Sequence, residues 1–207
     1  MMNGYFCAVI LQYAFSNSDL KELRTTFIVN CVFNNFFICT AIMLNIVTMY
    51  AIRRTSSLPK TLKTLLLSLA LSDVGVGLFV QPLYIFFLVK WLKLDHPSCN
   101  TYQVWNISSN LFSAASFLGV VAVSVDRVLA IHLHLRYQEL VTHKRVVTVM
   151  ISIWVFSAFI SLLVLWSSSA TQNLVLLVIA ATGFIASFVV CTRIYITVRH
   201  HKKQIQS

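Results

Sequence analysis

The sequence has 207 residues, of which 58% are hydrophobic and only 11% are charged, whereas a soluble domain carries about 25% charged residues. Too few polar side chains remain to cover an apolar core with a water-facing surface, so the composition argues against a soluble helical protein. The net charge of +10 would by itself suggest nucleic-acid binding, but the distribution of basic residues along the chain excludes it.

Long stretches without charge divide the chain into predicted membrane spans. Residues 25–52, 96–125 and 146–192 contain no Asp, Glu, Lys or Arg, and residues 64–89 contain only Asp73. A helix needs about 20 apolar residues to cross a bilayer, so the last stretch accommodates two helices, with a turn at the polar run SSSATQN. The sequence therefore predicts an all-α, multi-pass bundle with spans at about 26–52, 64–89, 101–131, 146–166 and 173–197.

These spans divide the chain into three segments. Residues 1–25 form a short extracellular segment, 26–199 the transmembrane bundle and 200–207 a cytoplasmic tail. The apolar run YFCAVILQYAF near the N-terminus lacks the basic flank and the small-residue cleavage site of a signal peptide. We therefore do not interpret it as one.

The basic residues predict the orientation of the bundle. Twelve of the 16 lysines and arginines lie between spans one and two, around the loop between spans three and four, or at the C-terminal end of the chain from Arg193 onward. Basic residues near span ends remain in the cytoplasm, so the N-terminus is expected outside and the C-terminus inside. Anionic lipid then accounts for the basic loops without any nucleic acid.

Two acidic residues within the spans are candidates for function. Asp126 and Arg127 are adjacent near the cytoplasmic end of the third span, where they form either a functional ion pair or a simple interfacial anchor. Asp73 lies well inside the second span, and an intramembrane acid is a functional-site hypothesis by default. The alternative interpretation of Asp73 is a protonated carboxyl that is hydrogen-bonded inside the bundle and has no function of its own.

The chain contains no phosphate-binding glycine loop, nucleophile elbow or zinc-protease motif, so neither an enzyme nor a metal centre is expected. The cysteines within the spans, Cys31, Cys39 and Cys191, are expected to pack as small apolar residues. Cys99 lies near the extracellular end of the third span. Its one evident partner in the sequence is Cys7, and the sequence leaves open whether they form a disulfide.

The motif SVDRVLAI, followed by LRY and a basic stretch, resembles the DRY motif of rhodopsin-like (class A) G protein-coupled receptors. Other residues resemble the family in order along the chain. They are Asn45 on the first span, Leu69 and Asp73 in LSLALSD, Trp91 near the first extracellular loop, Trp154 on the fourth span and Tyr195 on the fifth. The resemblance covers residues 26–203.

The resemblance implies roles for these positions. Asp126 would hold Arg127 at rest, and on activation Arg127 would leave it, approach Tyr195 and help to seat a heterotrimeric G protein. Asp73 would be the carboxylate of a sodium site, with Asn45 and Ser116 as polar neighbours. Leu69, Trp91 and Trp154 would be structural. No other cofactor is expected.

The sequence also departs from the family pattern. It contains five predicted spans where the family has seven, with neither the CWxP motif of the sixth helix nor the NPxxY motif of the seventh. The loop around 166–173 has no cysteine, and the fifth span has no proline. These last two features resemble the melanocortin branch of the family, and the sequence LRYQELVTHKRV resembles the second intracellular loop of melanocortin and adenosine receptors.

The ligand is not specified by the sequence. No acid stands on the extracellular half of the third span, where amine receptors carry one, so an amine ligand is less favoured. Asn106 and Ser109 occupy that region and are the candidate ligand-facing residues. The expected partners are the lipid bilayer, an extracellular ligand and, in a complete form, a heterotrimeric G protein.

Three functional hypotheses remain open. The chain is a fragment or truncated product of a class A receptor, or a five-span protein of receptor ancestry that associates with full-length receptors without signalling. More distantly, it is a small transporter or channel, although the prolines and intramembrane charges typical of those classes are few. The plasma membrane is the expected location, with retention in the endoplasmic reticulum if the chain is truncated.

Overall fold

The structure is a computed structural model that describes residues 17–93, 95, 98–133 and 137–163, with a few positions between 177 and 192. The described residues form helices and connecting turns, without strands. The helices are α1 (Asn17–Arg54), α2 (Lys60–Gly75), α3 (Gln81–Leu92), α4 (Cys99–Leu133), α5 (Tyr137–Leu140) and α6 (His143–Leu163), with a π-helical segment at Val76–Val80.

Four predicted spans correspond to helices that are long and apolar enough to cross a membrane. They cover Leu23–Arg54, Lys60–Leu92, Cys99–Ile131 and His143–Leu163. The described part of the chain thus contains four such helices, against the five predicted. The fifth predicted span, at 173–197, lies largely outside the described residues, as do the start of the N-terminal segment and the tail at 200–207.

The first two spans differ in detail from the sequence prediction. Helix α1 begins at Asn17 rather than near residue 26, so part of the proposed N-terminal segment continues the first span. The second span is interrupted by the π segment, which ends just before Pro82 in the first turn of α3. Proline has no N–H and its ring collides with the carbonyl four residues earlier, so widening of the preceding turn accommodates it.

Glycines on the second span allow its neighbours to approach closely. A Cβ added at Gly75 would lie 2.2 Å from the ring of Phe112 on α4, and one at Gly77 would lie 2.8 Å from Ile42 on α1. Small residues at helix contacts let backbones approach within a membrane. The second span therefore packs on both α1 and α4.

Helix α4 packs against both α2 and α6, and α2 in turn packs against α1, α4 and α6. Small hydroxyl residues stand at the contacts of α4: Ser157 and Ser161 of α6 are buried, and the Ser161 hydroxyl donates to the carbonyl of Ile107 at 2.6 Å. Hydrogen bonds and close packing hold helices together in lipid, where the hydrophobic effect between them is lost.

Aromatic rings cluster where the second span ends and the third begins. Phe87 is 1% exposed and contacts the rings of Trp91, Tyr102 and Trp105. Trp91 also contacts Phe27 of α1. Trp91 thus lies in the last turn of α3 rather than in the loop, and the ring cluster as a whole joins the first, second and third spans.

Cys99 begins α4 and is disulfide-bonded. Its partner lies outside the described residues. Cys31 and Cys39 are free, and Cys31 is half-buried whereas Cys39 is exposed.

Candidate functional site

Asp126 lies near the C-terminal end of α4, which the sequence predicts to face the cytoplasm, and it is only 4% exposed. Arg127 pairs with it: the Arg127 Nε lies 3.1 Å from Asp126 Oδ2, and Nη2 contacts the same oxygen. The pair is asymmetric, because the Arg127 side chain is 35% exposed. A buried carboxylate thus meets a cation that still reaches the surface.

The second carboxylate oxygen of Asp126 has a partner that the sequence analysis missed. Tyr137 of α5 donates its hydroxyl to Asp126 Oδ1 at 2.6 Å, and Thr61 of α2 lies 3.4 Å from the same hydroxyl. Burial raises the pKa of Tyr137, and its hydrogen bond to Asp126 raises it further. The phenol therefore remains a neutral donor at physiological pH.

A general argument could have found Tyr137. A buried carboxylate needs donors on both oxygens, and Arg127 occupies only one of them. Tyr137 stands in the loop that follows α4, within the quoted run LRY, and its hydroxyl is the kind of donor that such an oxygen requires. The cluster formed by Thr61, Asp126, Arg127 and Tyr137 is called the cytoplasmic cluster below.

Asp73 of α2 forms the second polar group within the spans. The Ser116 hydroxyl on α4 lies 2.8 Å from both Asp73 Oδ1 and Ser72 Oγ, and Ser72 donates to the Leu69 carbonyl at 2.7 Å. When Asp73 carries no proton, the hydroxyl protons of Ser72 and Ser116 can form only two hydrogen bonds among these three close oxygen–oxygen contacts. Asp73, Ser72 and Ser116 are called the central cluster below.

Asn45 is not joined to the central cluster by a hydrogen bond. Its side-chain amide donates instead to the Ala41 carbonyl, one turn earlier on α1, at 2.9 Å. Of the two polar neighbours that the resemblance implied for Asp73, the structure brings Ser116 to it. Ser72, the residue that precedes Asp73 on α2, was not foreseen and is almost fully buried.

The remaining predicted residues lie at helix contacts. Trp154 donates its Nε1–H to Ser68 on α2 at 3.0 Å and meets the edge of the Phe112 ring. Leu69 packs on Gly119 of α4. These contacts join α2, α4 and α6.

The candidate ligand-facing residues lie on the extracellular half of α4 and are partly buried. The Asn106 carbonyl and side-chain oxygens both accept from the Asn110 amide at 2.8 Å, so part of its polar surface is used within its own helix. Tyr195, the fifth-span candidate, lies outside the described residues. No group of three or more metal-ligating side chains occurs among the described residues.

Comparison with known proteins identifies relatives of this bundle. Residues 44–207 match the family described as "7 transmembrane receptor (rhodopsin family)". The chain is 28% identical over 200 residues to the D(2) dopamine receptor A of Xenopus laevis, covering 89% of this chain and 42% of the relative. It is 30% identical over 143 residues to the adenosine receptor A2b of Gallus gallus, covering 69% and 40%.

A third relative is the histamine H2 receptor of Rattus norvegicus, at 32% identity over 153 residues, covering 72% of this chain and 39% of the relative. The chain thus spans about 40% of the length of these relatives. All three are receptors rather than enzymes, and their names point to three different ligands.

Proposed function

This chain belongs to the rhodopsin family of seven-transmembrane receptors, and we propose that it supplies the first five helices of a receptor that signals through a heterotrimeric G protein. The observation that supports this function is the cytoplasmic cluster. A buried Asp126 holds a partly exposed Arg127 at the cytoplasmic end of α4. The cation is therefore restrained, yet close to the surface that a G protein would contact.

The chemistry of the cluster suits a switch. Releasing Arg127 would leave a buried carboxylate without its cation, which is costly unless another donor remains. Tyr137 is such a donor, since it binds the other oxygen of Asp126. The released state would regain stability only through new contacts of Arg127, and a G protein could supply them because it binds that state more tightly.

The sequence contains neither the sixth nor the seventh helix motif of the family. In the complete family, outward movement of the sixth helix opens the cavity for the G protein. We therefore propose that the 207-residue chain expressed alone promotes no nucleotide exchange. Joined to helices that complete the bundle, it should do so.

The test uses membranes from cells that lack other receptors of this kind. Residues 1–199 are joined to the part of the chicken adenosine A2b relative that follows its fifth helix, and nucleotide exchange is compared with that of the unjoined chain. We expect exchange only from the joined chain, a higher basal rate with Asp126→Asn, and no exchange with Arg127→Ala. Exchange that survives Arg127→Ala at equal surface expression would overturn the proposal.

We also propose that the N-terminus is extracellular, since the basic residues cluster on the opposite side. Engineered glycosylation sites test this orientation. A site in the loop between Arg54 and Lys60 is expected to remain unmodified, whereas one in the segment before α1 should be modified. Efficient modification of the loop site would show that the topology is the opposite of the one proposed.

Retention of the unjoined chain in the endoplasmic reticulum is expected, because helix faces that the family covers with two further helices stay uncovered.

A sodium ion bound near Asp73 is a further part of the proposal. The central cluster offers a carboxylate and two hydroxyls, all of them oxygen ligands, and hard cations prefer oxygen. With Asp73 ionised, the two hydroxyl protons can form hydrogen bonds at only two of the three oxygen–oxygen contacts there. A cation bound between the oxygens would reduce the repulsion at the third contact. When bound, the ion would supply positive charge beside Asp73 and help to hold α2 against α4.

A further inference from the structure

An apolar groove, open on one side, lies between α4 and α6 near the C-terminal end of α4 and the start of α6. Its volume is about 440 Å³, within the range of about 300–1,000 Å³ that is common for small-molecule sites. The floor consists of Leu65 and Val146, which are buried in the small core cluster with Met150. The groove is therefore a fixed concavity on a packed surface.

The walls of the groove are exposed apolar side chains. Val125 of α4 is 44% exposed, Val149 of α6 is 48% exposed, and Leu140 at the cytoplasmic end is 47% exposed. All of them lie within or directly beside predicted spans, so the open side faces hydrocarbon rather than water. An occupant from the bilayer is thus favoured over a soluble ligand.

The length of the groove corresponds to one leaflet. Its lining on α4 extends from Leu118 to Leu129, and at about 1.5 Å per residue this is roughly 16 Å. The hydrocarbon core of a bilayer is about 30 Å thick. A single acyl chain of the cytoplasmic leaflet therefore spans the groove from its mid-membrane end to the interface.

The cytoplasmic end of the groove is positively charged. Arg145 lines it and donates one guanidinium N–H to the Leu140 carbonyl at 2.8 Å, which fixes the side chain but uses one of five donors. His143 and Lys144 are exposed beside it, and the first turn of α6 has no acidic residue. The other charges here are Glu139, exposed on α5, and Asp126, which lines the groove but is already bonded to Arg127 and Tyr137.

Arg145 has no acidic partner in the described part of the chain, where the two ion pairs are Lys90–Asp95 and Asp126–Arg127. We propose that the groove binds an anionic phospholipid of the cytoplasmic leaflet, with an acyl chain between α4 and α6 and the phosphate on Arg145. Basic sites between membrane helices on the cytoplasmic side suit anionic head groups. The guanidinium also matches phosphate with paired, charge-assisted hydrogen bonds.

The experiment measures lipid retained by the full 207-residue chain, purified from a defined mixture of phosphatidylserine and phosphatidylcholine, by native mass spectrometry. The parent chain is expected to retain one phosphatidylserine in preference to phosphatidylcholine. Arg145→Gln should weaken that preference about fivefold, equivalent to about 1 kcal/mol for one basic residue at the surface. Val149→Trp, which fills the groove, should remove most of the retained lipid.

Matched variants separate the groove from general effects. Arg54→Gln removes a cation at the cytoplasmic end of α1, and Ile151→Trp adds the same ring to an exposed position across α6 from Val149; both should retain lipid as the parent does. Val125→Trp fills the groove from the opposite wall, should Val149→Trp fail to fold. Equal retention of both lipids, or equal effects of Arg54→Gln and Arg145→Gln, would overturn the proposal. The proposal would also be overturned if folded Val149→Trp or Val125→Trp retained as much lipid as the parent. In that case the groove would have another occupant, such as the fifth helix.

Discussion

Asp73 and Asp126 are both acids within predicted spans, but their surroundings differ. Asp126 has a cation on one oxygen and a phenol on the other, and it lies where α4 approaches the cytoplasmic surface. Asp73 lies in the interior of the second span with the neutral hydroxyl of Ser116. The first site contains its own counter-charge, whereas the ion pairs of the described residues do not include Asp73.

This difference shows what each cluster can do. An acid that already holds an internal cation can switch by exchanging one partner for another. An acid surrounded by hydroxyls can respond to ions, because a bound cation supplies the charge that the protein does not. Four experiments can break or sharpen this comparison.

The largest effect is expected where the internal counter-charge is removed. Arg127→Met leaves Asp126 buried with Tyr137 as its remaining donor, and removing one partner of a buried pair typically costs about 3 kcal/mol. The thermal unfolding midpoint of the chain in lipid nanodiscs should fall accordingly. Adding Asp126→Asn to that variant should restore part of the loss, since no unpaired charge then remains. If the single variant is as stable as the parent, Asp126 does not depend on Arg127.

The central cluster depends instead on how closely the helices pack around it. Gly75 lies two residues after Asp73, and a Cβ there would lie 2.2 Å from the Phe112 ring. Gly75→Ala should therefore cost about 2 kcal/mol through overpacking. Gly119→Ala is the matched control on α4, because its Cβ would meet Leu69 at an ordinary 3.4 Å. Equal melting midpoints for the two variants would show that α2 and α4 can separate without strain.

The family, the helical class and four of the spans could be predicted because they depend on local properties. Charge-free length marks a span, and Asp126 and Arg127 are adjacent in sequence, so their contact requires no knowledge of the fold. The Trp154–Ser68 and Ser161–Ile107 contacts join residues that are far apart in the chain. Periodicity indicates which face of a helix is buried but not which atom on a neighbouring helix it meets, so these contacts could not be predicted.

The errors in detail have a similar origin. Asn45 was expected beside Asp73, but within a span an amide can bond to its own helix as readily as to a neighbour, and Asn45 does so. The π segment before Pro82 was not foreseen, because a proline can be accommodated by a kink, a break or a widened turn. The sequence alone does not select among these outcomes.

Removing the phenol tests the other oxygen of Asp126. Tyr137→Phe removes the 2.6 Å hydrogen bond and leaves one oxygen of a buried carboxylate without a donor, which should cost about 1.5 kcal/mol in unfolding free energy. Thr61→Val is the control with a smaller effect, since Thr61 lies 3.4 Å from the same hydroxyl. A larger loss in Thr61→Val than in Tyr137→Phe would assign the stabilisation to α2 packing instead.

The pH dependence of this contribution has a defined sign. Burial and the Asp126 hydrogen bond raise the pKa of Tyr137 above the value of about 10 in the unfolded chain. Its stabilisation is therefore fully present below pH 10 and is lost as the pH rises through the higher folded value. The difference between parent and Tyr137→Phe should be the same at pH 6 and pH 8.

The smallest effect concerns the cation that the central cluster is proposed to take from solution. At a sodium concentration equal to the dissociation constant, binding to the folded state stabilises it by only about 0.4 kcal/mol, and the effect grows with the logarithm of concentration. The unfolding midpoint should thus rise steadily with sodium chloride and less with choline chloride at equal ionic strength. Asp73→Asn should remove the difference between the two salts, and Ser116→Ala should reduce it, whereas Asp126→Asn should leave it unchanged. If Asp126→Asn removed the difference and Asp73→Asn did not, the ion would act at the cytoplasmic cluster, and the contrast between the two acids would be reversed.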